Sequence, residues 1–438
     1  MPEILIIADD LSGAADSGNS LVAAGLDTLV VLDSRGNLPD AAALSLDLDT
    51  RRLPAEPAAA LHVDAVRRLR SPDTALYKKI DSTLRGNWAV ETAAVHIALA
   101  GNGHTLPMAM VAPAFPAAGR VTRRGRMYVN GTPLDETEIW RHEGLTGPAD
   151  LRALLRAAGL QTELADLNLI RRGDAVLREA LREWLDDGVE ALACDAETDA
   201  DLATLARVTT SLRERVFWVG SAGFAYHLPG ALGLMRAGAL PDTAMPTPLD
   251  PVLIVVGSSS GVSQVQAERL MESGAVRGMA IDPHVLRIGP GTTEWGHAEQ
   301  ELREVLASGD DVLLTMATGP ALDRRDGHAL AVALGRLVHE QAPRIGGLVI
   351  TGGETARAVL AALGIGAIRL LGEVEPGVPL GIAQGDRPMP LITKAGAFGS
   401  PDTLVRCRQR LRAQALPPVA EAGTGRAAPH APHHPGSH

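Results

Sequence analysis

Short apolar runs alternate with stretches of helical periodicity along the first half of the chain. The run ILIIA at residues 4–8 is typical of a buried strand, and the pattern after it predicts a helix over residues 11–25. The same alternation predicts strands at 28–32, 44–48, 76–80 and 107–111 and helices at 58–69 and 87–100. This order of elements predicts an α/β fold with a mostly parallel sheet.

Residues 115–146 interrupt this rhythm, since they are rich in Gly, Arg and Pro, and they predict a functional loop or a small excursion. Beyond them the pattern predicts helices at 150–158 and 175–185 and strands at 191–194 and 216–219. The segment LPDTAMPTPLDP at 240–251 contains four prolines and is typical of a linker.

The α/β rhythm restarts after the linker, with strands predicted at 252–256, 312–315, 347–350 and 368–371 and helices at 262–272, 329–341, 354–363 and 402–413. We therefore expect one domain over residues 1–239, the linker over 240–251, a second domain over 252–415 and a disordered tail over 416–438. Ligands of such folds bind where strand carboxyl ends meet helix amino ends, so the expected active site lies in the cleft between the domains.

Composition narrows the possible functions. The 438-residue chain carries a net charge of −11 and has no basic run, which argues against nucleic acid as a partner. Its two cysteines, Cys194 and Cys407, exclude a disulfide framework. No apolar run approaches the roughly 20 residues of a membrane helix, and the N-terminus lacks the basic start of a signal peptide. We expect a cytoplasmic protein without a membrane partner, which could form a homo-oligomer.

Lysine is rare in this chain. Only Lys78, Lys79 and Lys394 occur among its 41 basic residues, which is typical of a GC-rich genome. A chain that otherwise uses arginine can also keep lysine where a compact ammonium group is needed.

Charged side chains follow the predicted strands of the first half. Asp9 and Asp10 come directly after the first strand, and helix capping would explain one of these carboxylates but not both. Arg51, in LDTRR, follows the third strand, where a guanidinium could bind a carboxylate in bidentate fashion or simply lie on the surface.

The segment YKKIDSTLRGN at residues 77–87 is the strongest signal. Side chains alternate along a strand, so Lys79 and Asp81 share one face and Lys78 takes the other. A cation, a carboxylate and hydroxyl groups then meet at a helix N-terminus, which favours anions. The alternative is an ion-paired strand end at which Ser82 or Thr83 caps the helix.

Three small-residue loops follow strands of the second half. GSSSG at 257–261 matches the G-x-S-x-G elbow of hydrolases, but it also fits a loop that cradles phosphate or a plain turn. TGGETA at 351–356 and TKAGAFG at 393–399 have a similar design, and together the loops suggest a nucleotide site built from backbone. Neither a P-loop nor a Rossmann fingerprint is present in the sequence.

Taken in order, these segments resemble the four-carbon acid sugar kinase family. The resemblance covers about residues 3–412 and rests on IADDLSGAADSG, LDTRR, YKKIDSTLRGN, APAFPAAGRVTRRGRMYVNGTPL, GSSSG, GGETARAVLAALGI, GEVEPGVPLG and TKAGAFGSPDTL. Leu11 and Ser12 stand where the family more often has an aromatic residue followed by threonine, and Ser12 keeps the hydroxyl.

The resemblance implies a kinase that binds a sugar acid in its first domain and ATP in its second, and phosphoryl transfer from ATP is helped by Mg²⁺. The substrates would be the small molecules ATP and a four-carbon acid phosphorylated on its 4-hydroxyl, D-threonate before 3-oxo-tetronate, L-threonate or erythronate. The sugar acid would meet Asp9, Asp10, Arg51, Lys79, Asp81, Ser82, Thr83, Leu84 and Arg85. The nucleotide would meet Ser258, Gly352, Gly353, Glu354, Thr355, Lys394, Gly396 and Gly399.

The chemistry of phosphoryl transfer suggests roles for some of these residues, because it asks mainly for positioning and charge stabilisation. Asp10 or Asp81 would accept the proton of the attacking hydroxyl, and Arg51 or Arg85 would bind the substrate carboxylate. Lys79 or Lys394 would neutralise the transferring group. Two alternatives from other classes are a serine hydrolase that uses Ser259 with Asp326 and His328, and a non-catalytic sugar-acid sensor.

Overall fold

The computed structural model describes residues 1–36, 38–100, 106–236, 245–258, 260–317, 327–385 and 387–413. Part of the predicted linker and the whole predicted tail lie outside these residues. Within the described part of the chain, no helix combines the length and the apolar character that crossing a membrane requires.

The first half alternates strands and helices as predicted. Its elements are β1 (Ile4–Ala8), α1 (Leu11–Ala23), β2 (Thr28–Val31), β3 (Ala43–Asp47), α2 (Ala55–Leu69), β4 (Ala75–Lys79), α3 (Trp88–Ala98), β5 (Met108–Ala112), β6 (Arg120–Arg123), β7 (Arg126–Val129), β8 (Thr132–Pro133), α4 (Glu138–His142), α5 (Leu151–Ala157), β9 (Thr162–Ala165), α6 (Leu167–Ile170), α7 (Asp174–Asp186), β10 (Ala191–Cys194), α8 (Asp199–Thr210), β11 (Val216–Gly220), α9 (Ala222–Ala225) and α10 (Leu228–Ala231).

The second half repeats the alternation and ends with an antiparallel section. Its elements are β12 (Val252–Val256), α11 (Gly261–Glu272), β13 (Arg277–Ile281), α12 (Pro283–Ile288), α13 (Thr293–Ala307), β14 (Val312–Met316), α14 (Gly327–His339), β15 (Gly347–Thr351), α15 (Gly353–Ala362), β16 (Ala367–Glu373), β17 (Pro379–Gln384), β18 (Met389–Lys394) and α16 (Thr403–Arg412).

One sheet of 15 strands runs through both halves of the described chain, in the order β13-β14-β12-β15-β18-β17-β16-β2-β3-β1-β4-β11-β5-β10-β9. Most neighbours are parallel, which confirms the predicted fold class. The halves join where β16 pairs antiparallel with β2 over three residue pairs. The ion pair of Arg369 with Asp27 reinforces this junction.

Helix α1 lies at the junction of the two halves and is built almost entirely of small residues. Its Leu11, Ala14 and Ala15 belong to a core cluster that otherwise consists mainly of residues from the second half. The close approach is visible at Gly18, where an added β-carbon would lie 2.8 Å from Leu370 Cδ1. The small residues therefore let α1 pack tightly against β16, and the two halves share a core.

The sequence pattern missed several elements. Residues 277–307 form β13, α12 and α13, for which no prediction was made, and the same holds for β9, β17 and β18. The interruption over 115–146 contains a separate three-stranded sheet, β6-β7-β8. β13 is an edge strand with three exposed residues out of five, so it lacks the apolar run by which buried strands are recognised.

Candidate active site

Acidic side chains cluster at the carboxyl ends of three neighbouring strands. β3, β1 and β4 are adjacent and parallel, and their last residues are level in the register. Asp9 and Asp10 follow β1, Asp47 is the last residue of β3, and Asp81 lies two residues beyond the end of β4. The topology therefore brings the motifs of the first half to one edge of the sheet.

Arg51 connects these carboxylates. Its Nε donates to Asp9 Oδ2 at 2.7 Å and its Nη2 donates to Asp9 Oδ1 at 2.9 Å, so this pair is bidentate. Its Nη1 donates to Asp10 Oδ2 at 2.7 Å, and its Nη2 lies 3.8 Å from Asp81 Oδ1. Burial raises the pKa of Asp9, but the charge and hydrogen bonds of Arg51 outweigh this and leave the pKa lowered.

Asp81, like Asp9, accepts several hydrogen bonds. Arg85 donates to it through Nε at 2.9 Å and Nη2 at 2.8 Å, and the Thr83 backbone N–H and hydroxyl also donate to Oδ2. Burial would raise the pKa of Asp81, but the hydrogen bond from Arg85 and the charge of Arg51 hold it well below its usual range. Asp81 therefore stays ionised and orients two arginines.

Lys79 passes over the first turn of α1. Its Nζ donates to the carbonyl of Ile80 at 2.9 Å, and a β-carbon at Gly13 would lie 2.7 Å from this Nζ. Asp16 is one turn further on the same helix face. Burial raises the pKa of Asp16 to about 6, against the opposing charge of Lys79, and this carboxylate makes no hydrogen bond within the described residues. Lys79 and Asp16 therefore influence each other through their charges, although they form no ion pair within 4 Å.

Lys78 points to the opposite side of the sheet, as the strand alternation predicts. Its Nζ donates to Glu91 Oε2 at 2.6 Å and lies 3.1 Å from His62 Nε2, and Thr50 donates to Glu91 Oε1 at 2.9 Å. The side chains of Lys78, Glu91 and His62 are completely buried. Burial, followed by the charge of Lys78, lowers the pKa of His62 to about 4. This buried cluster therefore supports the strand ends that carry the site residues.

Three loops of the second half also meet at the carboxyl ends of neighbouring parallel strands. β12, β15 and β18 are parallel neighbours, and the loops after them carry Ser258, Gly352 and Gly396. Ser260 donates to the carbonyl of Gly396 at 2.6 Å and caps α11. A β-carbon at Gly396 would lie 2.0 Å from Ser258 Oγ, so any larger residue there would displace the Ser258 side chain. Backbone amides and small hydroxyls thus line one surface at the N-termini of α11 and α15.

Lys394 ends β18 beneath this surface and is 2% exposed. Burial lowers its pKa to about 8, although Cys407 and Glu375 oppose this shift. Glu375 accepts a hydrogen bond from the Ser400 backbone N–H at 3.3 Å and pairs with Arg406, which fixes the turn at Gly399. Within the described residues the ammonium group of Lys394 makes one hydrogen-bond contact, of 3.5 Å, with the carbonyl of Gly396.

The two surfaces meet across the junction of the halves. A β-carbon at Gly353 would lie 2.7 Å from the Ser12 hydroxyl, and Arg52 pairs with Glu354 at 2.8 Å. The antiparallel pairs reverse the strand direction between β1 and β15, but six steps of twist at roughly 20–25° each turn the sheet by about 120–150°. This twist is large enough to bring the carboxyl ends of both strand sets together.

The structure joins six of the predicted sugar-acid residues in one network of hydrogen bonds and ion pairs: Asp9, Asp10, Arg51, Asp81, Thr83 and Arg85. The side chains of Lys79, Ser82 and Leu84 make no such contact with them within the described residues. Leu84 has a positive φ of 59° and is 2% exposed, so only its backbone can face a ligand. Ser82 is partly exposed and makes no hydrogen bond through its side chain within the described residues.

Two of the predicted nucleotide residues contact other parts of the protein. Thr355 is buried and lies against the loop at Gly257, and Glu354 pairs with Arg52.

Several residues of the site carried no prediction. Arg357 of α15 lies 3.5 Å from Asp47 Oδ2, and burial raises the pKa of Asp47 to about 7. Asp16 lies within a helix and Arg120 within the region that interrupts the α/β rhythm. Asp16 does fall within IADDLSGAADSG, so the repeated acidic residues of that segment were the available signal.

The described residues give no support to the serine hydrolase alternative. Ser259 and Asp326 lie outside them. His328 Nδ1 is 3.7 Å from Glu354 Oε1, the same carboxylate oxygen that pairs with Arg52. Ser258 and Ser260 are engaged with the Gly396 loop.

Comparison with known proteins identifies the two halves. A family model described as a sugar-binding N-terminal domain matches residues 4–228, and one described as a nucleotide-binding C-terminal domain matches residues 253–404. A solved structure, Haemophilus influenzae protein HI1011, has a similar fold with a TM-score of 0.73 at 21% identity, covering 93% of this chain and 100% of that one. Together with the arginine–carboxylate network and the glycine-rich loops, the matched domains define a phosphotransferase of the sugar kinase class.

The relatives specify the family. A D-threonate kinase from Cupriavidus necator is 44% identical over 420 residues, covering 94% of this chain and 99% of that protein. A D-threonate kinase from Salmonella typhimurium is 32% identical and covers 92% and 96%, and a 3-oxo-tetronate kinase from C. necator is 32% identical and covers 92% and 95%. This chain belongs to the four-carbon acid sugar kinase family, as its motifs predicted.

Proposed function

We propose that this protein transfers the γ-phosphoryl group of ATP to the 4-hydroxyl of a four-carbon sugar acid, and that the acid is D-threonate. The observation that carries this proposal is the contact between the arginine–carboxylate network and the glycine-rich nucleotide loops, through Ser12 with Gly353 and Arg52 with Glu354. The similarity to D-threonate kinases over nearly the whole chain supports this substrate. The proposed compartment is the cytoplasm, where ATP is supplied.

Asp10, Asp81 and Lys79 stay the proposed catalytic residues, with different tasks. Asp81 holds Arg51 and Arg85 and has a lowered pKa, so it is a weak proton acceptor. Asp10 accepts one hydrogen bond at each oxygen, from Gly13 and Arg51, and is two residues from Ser12, which lies against Gly353 of the nucleotide half, so we assign the acceptor role to it. Lys79 would neutralise negative charge on the group in transfer.

The described residues fit a magnesium ion that arrives with ATP. No group of three or more histidine, cysteine, aspartate or glutamate side chains among them is arranged to hold a metal by itself. Mg²⁺ in kinases is bound largely by phosphate oxygens and by one or two carboxylates. Asp16, whose carboxylate has no hydrogen bond in the described structure, is the residue that would hold it. The bound ion would neutralise charge on the phosphates.

The proposed function is tested by ADP release from Mg·ATP with D- and L-threonate, D- and L-erythronate and the 3-oxo acid. We expect the largest kcat/KM with D-threonate. Turnover that favours another acid would keep the kinase and overturn the substrate. If the folded protein turns over none of the acids, the proposed function is wrong.

Lys394 gives the nucleotide site a defined pH dependence. The pKa of this lysine is about 8, so its ammonium group is charged at pH 7 and loses its proton as the pH rises to 9.5. We expect the KM for ATP to rise over this interval, because the phosphates lose a cation. Lys394→Met should raise this KM by roughly 10- to 100-fold at pH 7. The measurement is the KM for ATP at half-unit steps between pH 6.5 and 9.5.

Lys394→Arg is the matched control, since arginine stays charged throughout this range. Its KM for ATP should vary less with pH than that of the wild type. An unchanged KM in Lys394→Met would remove this residue from the nucleotide site.

A further inference from the structure

Two of the arginines at the sugar-acid site are already matched by carboxylates of the protein. Arg51 donates to Asp9 and Asp10 through all three nitrogens. Arg85 forms a bidentate pair with Asp81 through Nε and Nη2. Each was a sequence candidate for the substrate carboxylate, but binding a substrate in this way would require one of these pairs to loosen.

Arg120 is the arginine near these groups that lacks such a partner. It is partly buried, its Nε is shielded from solvent without a hydrogen-bond partner, and within the described residues its guanidinium forms no ion pair. Burial lowers its pKa, and its electrostatic neighbours are Asp81, which opposes this shift, and Arg85. An unmatched, partly desolvated guanidinium is costly unless a ligand supplies the missing acceptor.

The chain places Arg120 at the edge of the sheet where the site lies. The residues from Ala112 to Phe115 leave β5 at its carboxyl end, and Phe115 and Arg120 then exchange two backbone hydrogen bonds, of 2.8 and 3.1 Å. β5 is parallel to β11, which is parallel to β4, so this end of β5 lies on the same edge as Asp81. Arg120 therefore reaches the network from the side opposite β1.

The hairpin that carries Arg120 is anchored by other groups. The Ala196 backbone N–H donates to Thr122 Oγ1 at 2.8 Å, and Asp195 accepts from the backbone N–H groups of Arg124 and Gly125. Arg126 pairs with Asp135 at the far end of the hairpin. Since none of these contacts involves the Arg120 guanidinium, packing of the hairpin does not explain it.

We propose that Arg120 binds the carboxylate of the sugar acid, with Asp81 and Arg85 beside it as the rim of that subsite. The proposal rests on the proposed function and makes it more specific, because it names the residue that distinguishes an acid from a neutral polyol. Arg51 then acts as a positioning residue that fixes Asp9 and Asp10, and the substrate carboxylate and the 4-hydroxyl lie at opposite ends of the site.

The test compares wild type, Arg120→Gln, Arg120→Lys and Arg123→Gln. Arg123 lies on the opposite face of the same strand, is half exposed and pairs with Glu197, so it is the matched control. For each protein we would measure kcat/KM for D-threonate and the dissociation constants of D-threonate and of its primary amide. We expect Arg120→Gln to weaken D-threonate binding and kcat/KM by roughly 10- to 100-fold, mainly through KM.

The amide has the same hydroxyls and no charge, so its affinity should change by less than about threefold in Arg120→Gln. Arg120→Lys should recover part of the affinity for the acid, and Arg123→Gln should match wild type. Equal losses for acid and amide, or no loss in a folded Arg120→Gln protein, would overturn the proposal. If Arg120→Gln does not fold, Arg120→Lys decides by the same comparison.

Failure of the proposed function would give different results from failure of the proposed role of Arg120. Wild type that binds and phosphorylates none of the four-carbon acids would overturn both proposals, whatever the variants do. Wild type that phosphorylates D-threonate while Arg120→Gln keeps its affinity would overturn only the role of Arg120.

Discussion

Arg51→Gln is expected to reduce kcat/KM by roughly 100-fold or more and to destabilise the fold by about 3–5 kcal/mol. The reason is that one side chain, 17% exposed, neutralises Asp9 and Asp10 and lies 3.8 Å from Asp81. Glutamine cannot replace the bidentate pair, and Asp9 would be left as a buried charge without a cation in contact. The measurements are urea unfolding at pH 7.5 and initial rates with D-threonate.

Arg35→Gln provides the control, because Arg35 forms an equally good pair with Asp33 that is exposed to solvent. Its unfolding curve and rates should match those of wild type. A folded Arg51→Gln protein whose kcat/KM lies within tenfold of wild type would show that the network does not position the substrate.

Lys78→Met is expected to lower the free energy of unfolding by about 3–5 kcal/mol while leaving kcat nearly unchanged in the molecules that remain folded. Lys78 is completely buried and pairs with Glu91, which is equally buried, on the face of the sheet opposite Lys79. Removing the ammonium group leaves the Glu91 carboxylate in the core beside the Thr50 hydroxyl and the His62 ring, without the lysine that it pairs with. Chemical denaturation gives the stability, and initial rates corrected for the folded fraction give kcat.

The double variant Lys78→Met/Glu91→Leu tests whether the loss of stability comes from the unpaired Glu91 carboxylate. It removes both charges, so it should recover most of the stability that the single variant loses. A double variant no more stable than Lys78→Met would show that the cluster is not held by the ion pair. A large fall in kcat at full stability would instead place Lys78 at the reacting atoms.

The sequence was most informative where polar residues follow buried strands. It could predict that Asp9, Asp10, Arg51, Asp81 and Arg85 lie together, because apolar runs mark β1, β3 and β4 and the carboxyl ends of parallel strands meet at one edge. The sequence could also place Lys78 and Lys79 on opposite faces, since side chains alternate along a strand. It could not show that Lys78 meets Glu91 and His62, because those partners come from other elements.

The missed features depend on long-range packing. Arg120 lies in a hairpin without apolar periodicity, and only the folded chain shows that Arg51 and Arg85 are matched while Arg120 is not. The pairing of β16 with β2 joins residues more than 300 positions apart, and no local pattern encodes it. The proline-rich linker could indicate two domains, but not that one sheet runs through both of them.

This shared sheet limits how the enzyme can open to exchange substrate and product. The backbone hydrogen bonds between β2 and β16, and α1 packed against both halves, tie together the two surfaces that hold sugar acid and nucleotide. A swing of two rigid lobes about a loose hinge would break this ladder. Opening by torsion, spread over many strands as a small change in twist at each, would keep it intact. The catalytic cycle is then coupled to elastic deformation of the β-sheet itself.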